Sequence, residues 1–277
     1  MARAAVSRRL TWRAVTIVDT RRETASATTI VLDVPGWPGH LAGQHVVARL
    51  TAADGYSSQR DYSIASAPAG AAASAADRDR VELTVQRADD GEVSPWLAGI
   101  ARPGDQFDLR GPIGQWFVWH PGDARPLLLL AGGSGIVPLM AMLRAHDQVK
   151  NEAPVRLIYS ARTPADVIYA AELSERSRVI PLQLTYAFTR AAPDGAKTGR
   201  IDAALIAKAA FPPPAFPPPA FPPSAFSSAA GPPAAGPPET GPAIFVCGPA
   251  GFVETAASLL IEAGHPAGSI RTERFGS

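Results

Sequence analysis

Leu127-Leu128-Leu129-Leu130-Ala131-Gly132-Gly133-Ser134-Gly135-Ile136-Val137-Pro138 is the stretch that decides the fold. A solid apolar run without alternation reads as a strand buried on both faces, which is what a parallel sheet requires. The glycines behind it mark a strand-to-helix turn. Pro138 suits the first position of the helix, which is predicted to run to about Gln148. Turns of this kind hold phosphates, because amides at Gly133, Ser134 and Gly135 can approach a diphosphate that no side chain obstructs. The standard dinucleotide fingerprint has a third glycine where this chain has Pro138.

Working outward, the same grammar continues downstream. Apolar runs at 155–159, 180–187 and 244–247 read as further strands, and 164–177 and 250–263 as helices. Such alternation predicts a parallel sheet covered by helices. Upstream the pattern differs. Short β-branched or alternating runs at 12–18, 28–34, 45–50, 60–66 and 80–87 are punctuated by Pro, Gly and Asp, which favours an antiparallel barrel. A short helix is expected at 94–98, with Ser94 as N-cap and Pro95 at the first helical position. The fold class expected is therefore a two-domain α/β architecture, an antiparallel β-barrel at 1–122 followed by a parallel-sheet domain at 123–277. Residues 211–242 belong to neither pattern. Phe-Pro-Pro-Pro-Ala recurs from Phe211 and Phe216, and such proline density predicts an extended inserted loop with no role in the chemistry.

Composition narrows the functional classes. The net charge of +1 gives no reason to expect nucleic-acid or membrane binding. All but three of the 26 basic residues are Arg, so a single Arg is weaker evidence of function here than in a balanced sequence. Cys247 is the one cysteine; it can make no internal disulfide and cannot hold an iron–sulfur cluster, which takes four. The five histidines show no ligand spacing, so no metal is expected. The N-terminus does not read as a signal peptide and no run approaches the ~20 apolar residues of a membrane span, so a cytoplasmic protein is the expectation; a monomer is expected as well.

A second constellation lies in the barrel half. Along an extended Arg60-Asp61-Tyr62-Ser63, Arg60 and Tyr62 share one face. The guanidinium suits a pyrophosphate, the phenol ring suits an isoalloxazine plane, and the Ser63 hydroxyl suits a ring nitrogen. Gly91-Glu92-Val93-Ser94 opens the short helix and offers a diphosphate seat.

Arg60-Asp61-Tyr62-Ser63-Ile64-Ala65-Ser66, then Gly91-x-Val93-Ser94, then Gly111-Pro112-Ile113-Gly114 resemble the ferredoxin–NADP⁺ reductase family in order and spacing along nearly the whole chain. The resemblance implies an FAD-binding barrel followed by an NAD(P)-binding domain. It assigns the FAD pyrophosphate to Arg60, flavin stacking to Tyr62 and a flavin N5 contact to Ser63. It adds Ser66 to the flavin motif and gives Gly91, Val93 and Ser94 the pyrophosphate contacts. In the second half it gives Gly133, Ser134, Gly135 and Pro138 the nucleotide turn. Val246-Cys247-Gly248-Pro249 becomes the nicotinamide entry, with Cys247 packed beside the ring and not acting as a nucleophile. Near the C-terminus, Glu273 is a candidate for organising hydride transfer and Phe275 for covering the flavin, although two residues follow Phe275.

Ser160 and Arg162 end the second parallel strand, where an adenosine ribose falls in such a sheet. A hydroxyl and a cation there favour NADPH, with NADH as the alternative. The activity implied is hydride transfer from NADPH to FAD, then electron delivery to a separate carrier: a ferredoxin, a flavodoxin or an oxygenase component. Two other readings stay open, a flavin reductase acting on a small acceptor and a non-catalytic flavin- or nucleotide-sensing module. Arg3, Arg8, Arg9, Arg13, Arg21 and Arg22, set against Asp19 and Glu23, either steer an acidic carrier or reflect composition alone.

Overall fold

The computed structural model describes residues 10–88, 90–179, 182–193, 198–214 and 241–275. Most of the proline-rich stretch and Arg3, Arg8 and Arg9 therefore lie outside the described residues. The chain forms two compact units. One comprises Met1–Gly122, Val137–Asn151 and Ala165–Ala170; the other comprises Asp123–Ile136, Glu152–Pro164 and Ala171–Ser277.

The first unit is built from β1 (Trp12–Arg22), β2 (Ala27–Asp33), β3 (His45–Thr51), β4 (Ser57–Ser63), α1 (Ala75–Arg78), β5 (Arg80–Gln86), α2 (Val93–Pro95) and β6 (Gln106–Ile113). The strands pair antiparallel in the order β4-β3-β6-β1-β2-β5. Ile64, just past β4, bridges Leu83 of β5, so the two edge strands meet and the sheet closes into the expected barrel. Alternate residues point inward, and Val15, Ile17, Ile30, Leu32, Val46, Ala48, Val81, Leu83 and Val85 form its core.

Two expectations change here. Strand β6 falls where no strand was predicted. Ser94 is not the N-cap and Pro95 is not the first helical residue: α2 begins at Val93 after Glu92, and a wider turn continues it over Trp96–Ile100. The Ser94 hydroxyl instead accepts from the Ala88 N–H at 3.1 Å, bracing the loop before the helix.

Helix α3 (Ile136–Gln148) lies largely in this unit. Its Arg144 donates to the Ala65 carbonyl at 2.9 Å and to Glu82 at 2.8 Å. Tyr169, fully buried and left-handed at φ 61°, donates to the Thr84 hydroxyl.

The second unit contains β7 (Leu127–Gly132), β8 (Val155–Ala161), α4 (Ala170–Val179), β9 (Leu182–Phe188), α5 (Ala203–Ala209), β10 (Ala243–Pro249), α6 (Ala250–Glu262) and β11 (Ile270–Phe275). Its strands are parallel throughout, in the order β11-β10-β7-β8-β9. All six residues of β7 are buried, as its unbroken apolar run requires. Alternate positions of β7 and β10 pack with Ile206 of α5 and with Val253, Ala256 and Leu260 of α6.

Again the boundaries shift. The turn of Gly133–Gly135 leads into α3 at Ile136, so Pro138 sits inside the first turn and does not start the helix. The predicted helix over 164–177 is a short turn at Pro164–Asp166 followed by α4 from Ala170, because left-handed Tyr169 interrupts it. Helix α5 and strand β11 are additions. Among the described residues no helix is long and apolar enough to cross a membrane.

Candidate functional site

In the first unit, three motif pieces converge on β4. The strand presents Arg60 and Tyr62 on one face, as its alternation predicts. His45 of β3 pairs with Ser63 on one side and Ile113 on the other, which sets the Gly111-Pro112-Ile113-Gly114 turn beside the end of β4. The turn is tied down by Gln44 Nε2, which donates to the Gly114 carbonyl at 2.7 Å. At the opposite end of the strand, the Tyr56 hydroxyl donates to Glu92 at 3.0 Å and holds the 91–94 loop against the start of β4.

The chemistry of this face fits a flavin dinucleotide. The Arg60 guanidinium is exposed; its hydrogen bond runs to the Gln59 carbonyl at 2.8 Å, and among the described residues it pairs with no carboxylate. Tyr62 packs its ring against the barrel core, yet its hydroxyl is buried with no partner among the described residues. Burial pushes that phenol well above its ordinary pKa, with the nearby Arg60 charge opposing, so Tyr62 is a neutral donor in need of an acceptor. Leaving such a group unpaired costs about 1–3 kcal/mol, which an acceptor on a bound cofactor would offset. Ser63 is half-buried at the strand end. Val93 is buried in the core and shapes the loop through packing, and the Ser66 hydroxyl accepts from the Glu82 N–H at 3.1 Å.

In the second unit the glycines have two different reasons to be there. Gly133 is left-handed at φ 55° with open space where a side chain would go, so its backbone conformation demands glycine. At Gly135 an added Cβ would lie 2.1 Å from the Cys247 carbonyl oxygen. That glycine therefore also serves the contact with β10, a steric reason that the local sequence does not carry. Ser134 is partly exposed.

Cys247 is fully buried and stands opposite Glu273 in the β10–β11 register. Burial, and then the Glu273 carboxylate, push its thiol well above the ordinary range, so it is a neutral side chain and not a thiolate nucleophile. Gly248 and Gly132 pack under the Phe252 ring, where a Cβ would come within 2.8 Å and 2.7 Å respectively. Pro249 pairs with Phe275, which ends β11 partly exposed.

Ser160 and Arg162 line a cleft of about 510 Å³ together with Thr189, Arg190, Arg200, Phe252 and Thr255. Three arginines thus meet where sequence reasoning placed one. Arg190 is held at the end of β9 by its N–H, which donates to the Arg162 carbonyl at 2.9 Å. No local motif marks Arg190 or Arg200; their convergence is a product of the sheet.

Comparison with known proteins agrees with both halves. Residues 14–118 match the family model described as an oxidoreductase FAD-binding domain, and residues 129–258 match the oxidoreductase NAD-binding domain. The chain belongs to the ferredoxin–NADP⁺ reductase-like family of FAD- and NAD(P)-binding oxidoreductases. It is 30% identical over 164 residues to the reductase component of propane 2-monooxygenase from Mycolicibacterium smegmatis, covering 59% of this chain and 43% of that one. It is 35% identical over 162 residues to an NADPH oxidoreductase from Mycobacterium tuberculosis, covering 57% and 40%. The chain thus spans less than half the length of these relatives. Among solved structures, the FAD/NAD-binding domain of nitric oxide dioxygenase from Vibrio cholerae shares the fold with a TM-score of 0.73 at 20% identity, covering 96% of this chain and 99% of that one.

Proposed function

We propose that the protein is an FAD-dependent oxidoreductase that takes hydride from NADPH and passes electrons to a separate carrier, a ferredoxin, a flavodoxin or an oxygenase component. Residues 1–122 serve as the FAD domain and 123–277 as the NAD(P) domain. The observation that carries this reading is the convergence on β4 of three motif pieces drawn from 60–66, 91–94 and 111–114. The reductase-component relatives favour a carrier, and a chain with one cysteine cannot itself hold a cluster.

When bound, FAD supplies the exchange between two-electron and one-electron transfer. The side chains supply position and electrostatics. Arg60 provides the cation for the pyrophosphate. Tyr62 lays a ring against the flavin and donates its buried hydroxyl, and Ser63 offers a hydroxyl at the strand end. Gly133, Ser134 and Gly135 present amides to the nucleotide diphosphate. Cys247 gives a small uncharged surface to the nicotinamide, and Glu273 orients the pair from the neighbouring strand.

Anaerobic titration of the flavin-reconstituted protein tests the assignment. NADPH should bleach the flavin band stoichiometrically, and cytochrome c reduction should depend on added carrier. Binding of NADPH without bleaching would leave only a sensing module, and carrier-independent turnover would favour a flavin reductase.

Tyr62→Phe has opposite effects on the two states. Removing the unpaired hydroxyl should stabilise the flavin-free protein by about 1 kcal/mol, while FAD affinity falls about fivefold. Urea melts of the apoprotein and FAD binding by fluorescence quenching check both signs. An unchanged FAD affinity would show that the cofactor does not use the hydroxyl.

A further inference from the structure

We propose that Tyr56 and Glu92 recognise the adenosine half of FAD, so that the barrel selects the dinucleotide over FMN. The inference rests on reading β4 as the flavin seat, and extends that seat by one step along the strand. In an extended chain, residues 56, 58, 60 and 62 share a face. Tyr56 immediately precedes β4, and its carbonyl accepts from the Ala52 N–H at 2.8 Å, so it continues the β3–β4 pairing. At 3.3–3.4 Å per residue, Tyr56 stands about 20 Å from Tyr62 and about 13 Å from Arg60 along the strand. One face therefore carries an aromatic ring, a cation and a second aromatic ring in that order. This is the sequence of flavin, diphosphate and adenine in an extended dinucleotide. A mononucleotide ends at its phosphate and does not reach the second ring.

The side chains at the far end suit a nucleoside. The Tyr56 ring is 59% exposed on an otherwise polar hairpin, and it is not loose. Its hydroxyl is bonded to Glu92, and its N–H donates to Asp54 at 3.0 Å. The phenol is raised above its ordinary value by the Glu92 hydrogen bond and charge, while Arg60 acts in the opposite sense, which places all three groups within one electrostatic neighbourhood. A carboxylate in that position repels phosphate but accepts from ribose hydroxyls. Glu92 therefore favours an adenosine there, and FMN gains nothing from it. Bases stack on tyrosine whatever their identity, because every base has a π-face.

The test is flavin binding by the full chain, stripped of flavin and titrated with FAD and with FMN. Tyr56→Ala should weaken FAD about tenfold, as loss of one base–aromatic stack does, and leave FMN within twofold. Tyr56→Phe keeps the ring and should retain most of the FAD affinity. Glu92→Gln should weaken FAD severalfold and leave FMN within twofold. Both side chains are exposed, and thermal melts of each apoprotein check that folding is unchanged. An unaltered FAD affinity in Tyr56→Ala, or equal loss for both flavins, overturns the proposal while leaving β4 as the flavin seat. Failure of the wild-type chain to bind either flavin overturns the seat itself.

Discussion

Gly135→Ala should destabilise the fold strongly, by about 3 kcal/mol or more, and lower the yield of folded protein. Overpacking typically costs about 1–3 kcal/mol, and more where the neighbours cannot move. Here the obstacles are all backbone: the Cys247 oxygen at 2.1 Å, its carbon at 2.4 Å and the Gly248 nitrogen at 2.8 Å. Relief would require β10 to move away from the turn, and β10 is paired with β7 on one side and β11 on the other. Gly133→Ala is the control. Its Cβ meets nothing, so its cost is the left-handed conformation alone, about 1–2 kcal/mol. Urea unfolding of the two variants should separate them clearly. Equal losses would mean that β10 yields to the added methyl and that the contact does not demand glycine.

That contrast shows what a sequence can and cannot reveal. The glycine turn was legible because the strand before it is apolar without a break. The reason for each glycine was not, since it depends on which strand lies beside the turn. The same holds for the elements. Strands β1 to β5 stood out through alternation, but β6 ends in Arg110-Gly111-Pro112-Ile113 and so reads as a turn. Strand β11, Ile-Arg-Thr-Glu-Arg-Phe, is an edge strand whose charges hide its single buried residue, Ile270. Helix α5 is seven residues of Ala, Leu, Ile and Lys ahead of a proline run, too short for a periodic signal. Ser94 followed by Pro95 looks like a helix cap; the hydroxyl serves the preceding loop instead because the chain enters the helix a residue earlier.

The candidate site divides along the same line. Arg60, Tyr62 and Ser63 are contiguous, so local alternation exposes them. Tyr56 and Glu92 become partners only when the hairpin and the 91–94 loop meet. Cys247 and Glu273 become neighbours only through parallel pairing of β10 with β11. Contacts made by topology leave no local trace in the chain.

The arginine cleft carries the second large effect. Replacing Arg162 and Arg190 together by alanine should weaken NADPH about 100-fold or more while changing NADH less than threefold. A phosphate on the adenosine ribose is the one group by which these nucleotides differ, and hydrogen bonds to a charged partner contribute about 1.5–3 kcal/mol each. Ser160, Thr189 and Thr255 add hydroxyls to the same cleft, so a phosphate there would find both cations and neutral donors. Arg162 and Arg190 end adjacent strands, and the double substitution leaves the backbone bond between them intact. The sheet should therefore fold as before. The loss should also shrink as salt is raised, since both guanidinium groups are exposed and screened by mobile ions. Anaerobic titration with each nucleotide at two ionic strengths reads all of this. Equal weakening of NADH and NADPH would mean that the cleft binds a portion common to both, and no change in either would place the adenosine elsewhere on the sheet.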